Sequence, residues 1–297
     1  MKWDVVVVDN DPAASAENAV NGLRTAFFVP ITFVVEPHAG AASARNRGLT
    51  EARGDIIAFI DDDVIPEQNW LRELVAPILE GRCQGTGGRV VLEPGVERPT
   101  WFDEETIGGY LSRFDLGQNT QLIHSDGYVL TANAAFLCDP LRATGGFDDR
   151  LGPRGNTHLV CDDNLITQRL IAAGARIVYV PTAVVTHELA PTRLTPRYLI
   201  QRAYAQGRSD WRLMQVLGKL TRFCGLRVAW QHLELPVRRR GALSGRRAEA
   251  FHVLTDVARS AGVLRELLHS FVHDAQPTPE SNPETHIRNT HSRGLTT

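Results

Sequence analysis

Residues 55–63 read Asp55-Ile56-Ile57-Ala58-Phe59-Ile60-Asp61-Asp62-Asp63, an apolar run that ends in three consecutive carboxylates. The unbroken segment from Ile56 to Ile60 predicts a short strand buried on both faces. Asp61, Asp62 and Asp63 then stand where that strand leaves its sheet. Open α/β sheets bind ligands at the carboxyl ends of their strands. Adjacent carboxylates repel one another, and a divalent cation shared with phosphate oxygens relieves the repulsion. The plainer reading is a solvated acidic turn, because Asp is a good turn residue. The surroundings decide between the two.

Working outward, Val5 to Val8 form a second buried-strand pattern that ends at Asp9 and Asn10. A helix is expected over 12–26, and a third strand over 29–35 with Pro30 at its entry. Residues 40–53 read as a helix closed by Gly54, and Pro66 as the first turn of another. Strands alternating with helices predict an α/β fold with a mostly parallel sheet. Residues 84–135 are glycine-rich, with β-like stretches at 89–92 and 128–131, and are expected to shape the other half of a cleft. A helix over 164–173 and a strand over 176–180 follow, then Val184 to His187.

The chain has 297 residues, 43% of them hydrophobic, and a formal net charge of −2. That supports a sizeable core and argues against a general nucleic-acid binder, which would be basic. Cys83, Cys138, Cys161 and Cys224 lack metal-ligand spacing and suggest reduced thiols in a cytosolic protein. No apolar run is long enough to span a membrane, and Asp4 interrupts any signal-peptide pattern. Beyond Pro191 the composition shifts: residues 193–247 carry 12 Arg and one Lys against Asp210 and Glu234. The organisation expected is a catalytic domain over 1–192, a basic helical region over 193–273 and a disordered tail over 274–297. The basic region reads either as the solvated face of a helical appendage or as a patch for anionic lipid.

Two predicted strands end in acids, Asp9 and the Asp61 to Asp63 cluster. Asp162 and Asp163 open a helix, where capping and the macrodipole alone also favour acids. Together the three groups fit a metal–phosphate site with a separate base.

The order of these segments resembles the family 2 glycosyltransferases, enzymes of the GT-A fold that use nucleotide sugars. The resemblance rests on Val6-Val7-Val8-Asp9-Asn10, Glu36-Pro37-His38-Ala39-Gly40 leading to Ala44-Arg45-Asn46-Arg47-Gly48, and Ile57 through Asp63. Trp70-Leu71, Thr131-Ala132-Asn133, Gly145-Gly146-Phe147-Asp148, Asp162-Asp163 with Arg169-Leu170, and the segment ending at His187 continue it in order. It implies a Rossmann-type mixed, mostly parallel sheet flanked by helices. It also implies that Asp9, Arg45, Asn46 and Asp61 meet the nucleotide sugar. Asp61 and Asp63, with His187, would hold Mg²⁺ or Mn²⁺. Asp163, preceded by Asp162, would be the catalytic base. Gly145, Gly146, Phe147, Asp148 and Asn133 would line the acceptor side.

One base and no enzyme nucleophile predicts direct displacement with inversion. The expected partners are a nucleotide-sugar donor and a saccharide or lipid-linked acceptor, with a peripheral contact to anionic membrane at its cytoplasmic face. The resemblance begins late, since Val5 stands where the family has already passed a first strand and helix. The chain is therefore expected to lack that unit and to leave neighbouring strand edges open. Two alternatives compete: a catalytically weak nucleotide-binding scaffold, and a haloacid-dehalogenase-like phosphatase. The phosphatase motif wants Thr or Val where Ile65 stands, and a downstream lysine where the chain has only Lys219.

Overall fold

The computed structural model describes residues 2–24, 26–155, 157–220 and 247–274. Its strands are Val5–Asp9 (β1), Ile31–Val35 (β2), Ile56–Ile60 (β3), Val64–Pro66 (β4), Gly85–Leu92 (β5), Gln121–Leu122 (β6), Asn133–Leu137 (β7) and Ile177–His187 (β8). Its helices are Glu17–Arg24 (α1), Ala41–Glu51 (α2), Trp70–Leu79 (α3), Glu104–Ile107 (α4), Cys138–Ala143 (α5), Asp162–Ala172 (α6), Pro196–Val216 (α7) and Arg247–Asp274 (α8).

The main sheet runs β3–β7–β5–β8–β4, with β6 beside the first half of β8. β5 and β8 pair in parallel, and β3 shares their direction because β7 lies antiparallel between β3 and β5. β4 and β6 enter antiparallel. The sheet is thus mixed on a parallel frame, within the α/β class expected. β1 and β2 form a separate parallel pair. Val5 to Val8 are only half-buried and Ile60 is 41% exposed, less cover than their sequence predicts for a central position.

Three expectations are corrected. Pro66 ends the edge strand β4, where its missing N–H is harmless, and the helix starts at Trp70. Ile177–His187 is one strand through Pro181, because the β5 register jumps from Gly88↔Val180 to Arg89↔Val184 and leaves Pro181 outside the ladder. Residues 128–131 are not a strand; the strand is β7, just after them.

The sheet is covered on both faces. One face packs Phe59, Phe136, Tyr179 and Val185 against Leu49 of α2, Leu141 of α5 and Ile166 and Leu170 of α6. The other receives Leu74, Val75 and Ile78 of α3 on Ala135, Val180 and Ala183. Each such large side chain contributes about 1.5–3 kcal/mol on burial.

α7 and α8 pack against each other and cross closely at Gly207 and Gly262. A Cβ on Gly207 would sit 1.9 Å from the Arg259 carbonyl oxygen. Glu266 of α8 accepts from Arg208 at 2.6 Å and Arg212 at 3.0 Å, and Asp210 pairs with Arg259 at 2.6 Å. The described part of the basic region therefore turns much of its charge inward rather than to a solvated or lipid-facing surface. Arg222, Arg227, Arg238, Arg239, Arg240 and Arg246 lie outside the described residues, as does the 275–297 stretch of the expected tail. Cys83, Cys138 and Cys161 are buried and free.

Candidate active site

The sheet register assembles the site. Ile60 lies opposite Asn133, so Asp61 leaves β3 beside Thr131, which precedes β7. His187 ends β8 paired with both Val64 and Leu92, so Asp63 is delivered to the same margin. The acidic start of α6 and the first half of α2 complete it.

Arg45 of α2 is the hub. Its guanidinium donates to Asp162 Oδ2 at 2.5 Å and Asp61 Oδ1 at 3.2 Å, and stands 3.9 Å from Asp163 Oδ1. It also lies 5.8 Å from the centre of the Phe147 ring. Burial alone would weaken its hold on its proton, but Asp162, Asp163 and Asp61 outweigh burial and raise its pKa. Asp162 is 3% exposed. It fits against Gly152 at φ 85°, where an added Cβ would come within 2.8 Å of its carboxyl carbon. A buried pair of this kind stabilises little against an apolar substitute, yet losing one partner costs about 3–5 kcal/mol.

Asp163, in the first turn of α6, is the carboxyl next to that pair. Burial, then the neighbouring Asp162 charge, raise its pKa from 3.8 to about 7; Arg45 and the Thr131 hydroxyl oppose them. Thr131 Oγ1, itself fully buried, donates to Asp163 Oδ1 at 2.6 Å. A carboxyl that changes charge near neutrality suits general base catalysis. Cys161 caps α6 in the left-handed region at φ 75°, a strain of about 1–3 kcal/mol held by its surroundings. Burial pushes its thiol well above the usual range.

On the strand-end side, Asp63 Oδ2 lies 3.5 Å from His187 Nε2 and 3.1 Å from Arg193 Nη1. His187 Nδ1 faces the Glu188 carbonyl at 2.8 Å, which favours Nε2 as the free, coordinating nitrogen. Asp63 and His187 are thus close enough to share one divalent cation. Asp61 is turned to Arg45, and among the described residues no group of three His, Cys, Asp or Glu forms a ready cage. Asp62 is exposed.

Other expected residues hold the scaffold. Asp9 accepts from the backbone N–H of Asp11 and of Ala16, both at 2.9 Å, and organises the loop after β1. Asn46 brackets Phe147, donating to its carbonyl and accepting from its N–H at 2.8 Å each, which clamps the Gly145-Gly146 turn to α2. Asn133 is fully buried, bonded to Trp70 Nε1 and to the Arg89 and Ala183 carbonyls, so it does not face an acceptor. Asp148 is tied to Arg150 and Arg169, and the Arg150 hydrogen bond leads the effects that hold its pKa at about 2. Phe147 is 4% exposed and stacks edge-on with Phe59 at 5.3 Å. Sequence reasoning missed Thr131 and Arg193 as site residues. Thr131 had a signal, its place before a strand in an ordered motif; Arg193 was submerged in the arginine-rich stretch.

The model of glycosyl transferase family 2 matches residues 1–143. The succinoglycan biosynthesis protein ExoM of Rhizobium meliloti is 29% identical over 276 residues, 90% of this chain and 81% of that protein. The pre-mycofactocin glycosyltransferase of Mycobacterium tuberculosis is 32% identical over 188 residues, 62% of this chain and 37% of its own length. The glucosyl-dolichyl phosphate glucuronosyltransferase of Haloferax volcanii is 28% identical over 183 residues, 60% of this chain and 56% of its own. The chain thus spans most of the first relative and a third to just over half of the other two. The family model over residues 1–143 and these relatives, in a chain whose strand-end acids are joined through one arginine to a carboxyl at a helix start, support a family 2 glycosyltransferase.

Proposed function

We propose that the protein transfers a sugar from a nucleotide-sugar donor to an acceptor hydroxyl with inversion, in polysaccharide, glycolipid or cell-envelope glycan synthesis. The observation that carries this reading is the geometry around Asp163, a half-buried carboxyl whose pKa burial and Asp162 raise to about 7, one guanidinium away from the strand-end Asp61. The nucleotide lies over the carboxyl end of β1, with Asp61 and Arg45 at its sugar-phosphate end. The ionised Asp163 takes the acceptor proton as the acceptor oxygen attacks the anomeric carbon. The bond from that carbon to the diphosphate breaks and the nucleoside diphosphate leaves. Thr131 and Arg45 keep Asp163 ionised until the proton arrives.

Asp63 and His187 would hold Mg²⁺ or Mn²⁺ with the diphosphate, and the ion would neutralise charge on the leaving phosphate as a Lewis acid. Arg193 stands beside Asp63 as a second cation for the same group. The names of ExoM and of the mycofactocin and dolichyl-phosphate relatives support glycan or lipid-linked acceptors. We place the protein in the cytoplasm or at the inner membrane face; among the described residues no helix is long and apolar enough to cross a membrane.

The test is nucleoside diphosphate release from a panel of UDP-, GDP- and dTDP-sugars with Mn²⁺, then NMR of any glycoside formed. Release that depends on Asp163 and an inverted anomeric centre are expected. A folded chain that releases nothing from any donor, or a retained configuration, overturns the reading.

A further inference from the structure

Two arginines hold the two strand-end acids, and they hold them differently. The Arg45 side chain is 14% exposed and is fixed by Asp61, Asp162 and Asp163 together. Arg193 has one carboxylate among the described residues, Asp63, with Nη1 3.1 Å from Oδ2. The two side chains of that pair are 36% and 32% exposed. An ion pair this open to water is weak and easily exchanged.

The groups around it are fixed by the backbone. The Asp63 carbonyl accepts from the Glu188 N–H at 2.9 Å, and Val64 pairs with His187, so the end of β8 sets both Asp63 and His187 in place. His187 is 3% exposed. Arg193 stands on the 3₁₀ turn Pro191–Leu194, closed by its own N–H on the Ala190 carbonyl at 2.9 Å. Leu194 anchors that turn in a buried cluster with Leu92, Leu189 and Leu199. The long Arg193 side chain is therefore the part with freedom to swing.

His187 Nε2 lies 3.5 Å from Asp63 Oδ2, the same oxygen that faces Arg193. That oxygen meets both the guanidinium and the nitrogen with which it would hold a divalent cation. Two cations on one oxygen repel each other, so Asp63 serves one at a time. A diphosphate offers the planar guanidinium two-pronged hydrogen bonding that a single carboxylate oxygen does not.

We propose that Arg193 is a positioning residue that exchanges Asp63 for the donor diphosphate. Without donor it neutralises Asp63 and opposes a divalent cation there. With donor it turns to the diphosphate and frees Asp63, so each ligand favours the other, a coupling that is reciprocal by thermodynamics. The inference rests on the donor reading above and adds to it the residue that links the two binding events. Direct contact between cation and diphosphate also couples them; the Arg193 share is read from its variants.

Mn²⁺ binding to the full chain is measured from the loss of the free-ion EPR signal, with and without UDP, and UDP binding by calorimetry in saturating Mn²⁺. In Arg193→Gln, Mn²⁺ alone is expected to bind about two- to fivefold more tightly, the scale of a released exposed ion pair. UDP is expected to bind about tenfold more weakly, the scale of one lost charge-assisted hydrogen bond. A merely structural contact would not move the two in opposite directions. Arg193→Lys is expected to fall between wild type and Arg193→Gln. Arg197→Gln, on the exposed face of α7, is expected to match the wild type in both measurements. Mn²⁺ affinity that is unchanged or lower in folded Arg193→Gln overturns the competition, and unchanged UDP affinity overturns the transfer to diphosphate. Equal shifts in Arg197→Gln reduce the effect to net charge and overturn both. The donor reading fails separately: a wild type that binds Mn²⁺ but not UDP overturns it and the exchange with it. UDP binding with equal Mn²⁺ affinity in wild type and Arg193→Gln overturns the exchange alone.

Discussion

Thr131→Val removes one hydroxyl from a fully buried position and leaves the shape of the side chain nearly unchanged. That hydroxyl donates to Asp163 at 2.6 Å, and among the described residues no other side chain hydrogen-bonds to the Asp163 carboxylate, Arg45 standing 3.9 Å away. Thr167 is the neighbouring hydroxyl, but it donates to the Asp163 backbone carbonyl at 2.7 Å. A hydrogen bond to a charged group contributes about 1.5–3 kcal/mol. At about 1.4 kcal/mol per pKa unit, losing it moves Asp163 upward by about one to two units. From a start of about 7, the ionised fraction at pH 7 falls about five- to fiftyfold. The assay is the pH dependence of kcat/KM from nucleoside diphosphate release between about pH 5.5 and 10. The expected result is a profile displaced to higher pH, with its alkaline plateau largely kept. An unmoved midpoint, or an equal loss at every pH, refutes the assignment of Asp163 as a base held ionised by Thr131.

Asp163→Asn should keep donor binding by calorimetry and lose transfer; near-normal turnover removes Asp163 as the base. The same group links stability to pH. Its folded pKa is raised from 3.8 to about 7, so the folded state keeps a proton that the unfolded chain has already released. The stability from that proton is full below the unfolded value and is lost as pH rises through about 7. Urea midpoints should fall across that window in the wild type and level out in Asp163→Asn. Asp63→Asn should abolish Mn²⁺-linked gain in UDP affinity, and an unchanged gain removes Asp63 as a ligand. Gly207→Ala drives a methyl into the Arg259 carbonyl, so a loss of about 1–3 kcal/mol and a lowered Tm are expected; an unchanged Tm contradicts the close crossing of α7 and α8.

The strand-end acids were legible because an apolar run that stops abruptly in Asp tells both where a strand ends and which chemistry is placed there. β7 was not, because Asn133-Ala134-Ala135 carries small side chains with weak strand preference. It is fixed by pairing on both sides, to β3 and β5. Pro181 misled for a related reason: a local rule met a register jump that only the partner strand reveals. Asn46 and Asn133 look like ligand residues by type, yet their amides complete backbone pairing. The basic stretch was visible only as composition; nothing local told that Arg208 and Arg212 face Glu266, a residue far along the chain on α8.

The Arg45–Asp162 pair also constrains how this sequence can drift. Either residue changed alone strands a buried charge, so a neutral substitute at position 45 becomes tolerable only with one at position 162, and the reverse holds. The two lie 117 positions apart in the chain, yet they should vary as a single character among descendants of this protein. A laboratory selection for folding, blind to activity, from a library randomised at both positions should recover matched pairs and few single replacements.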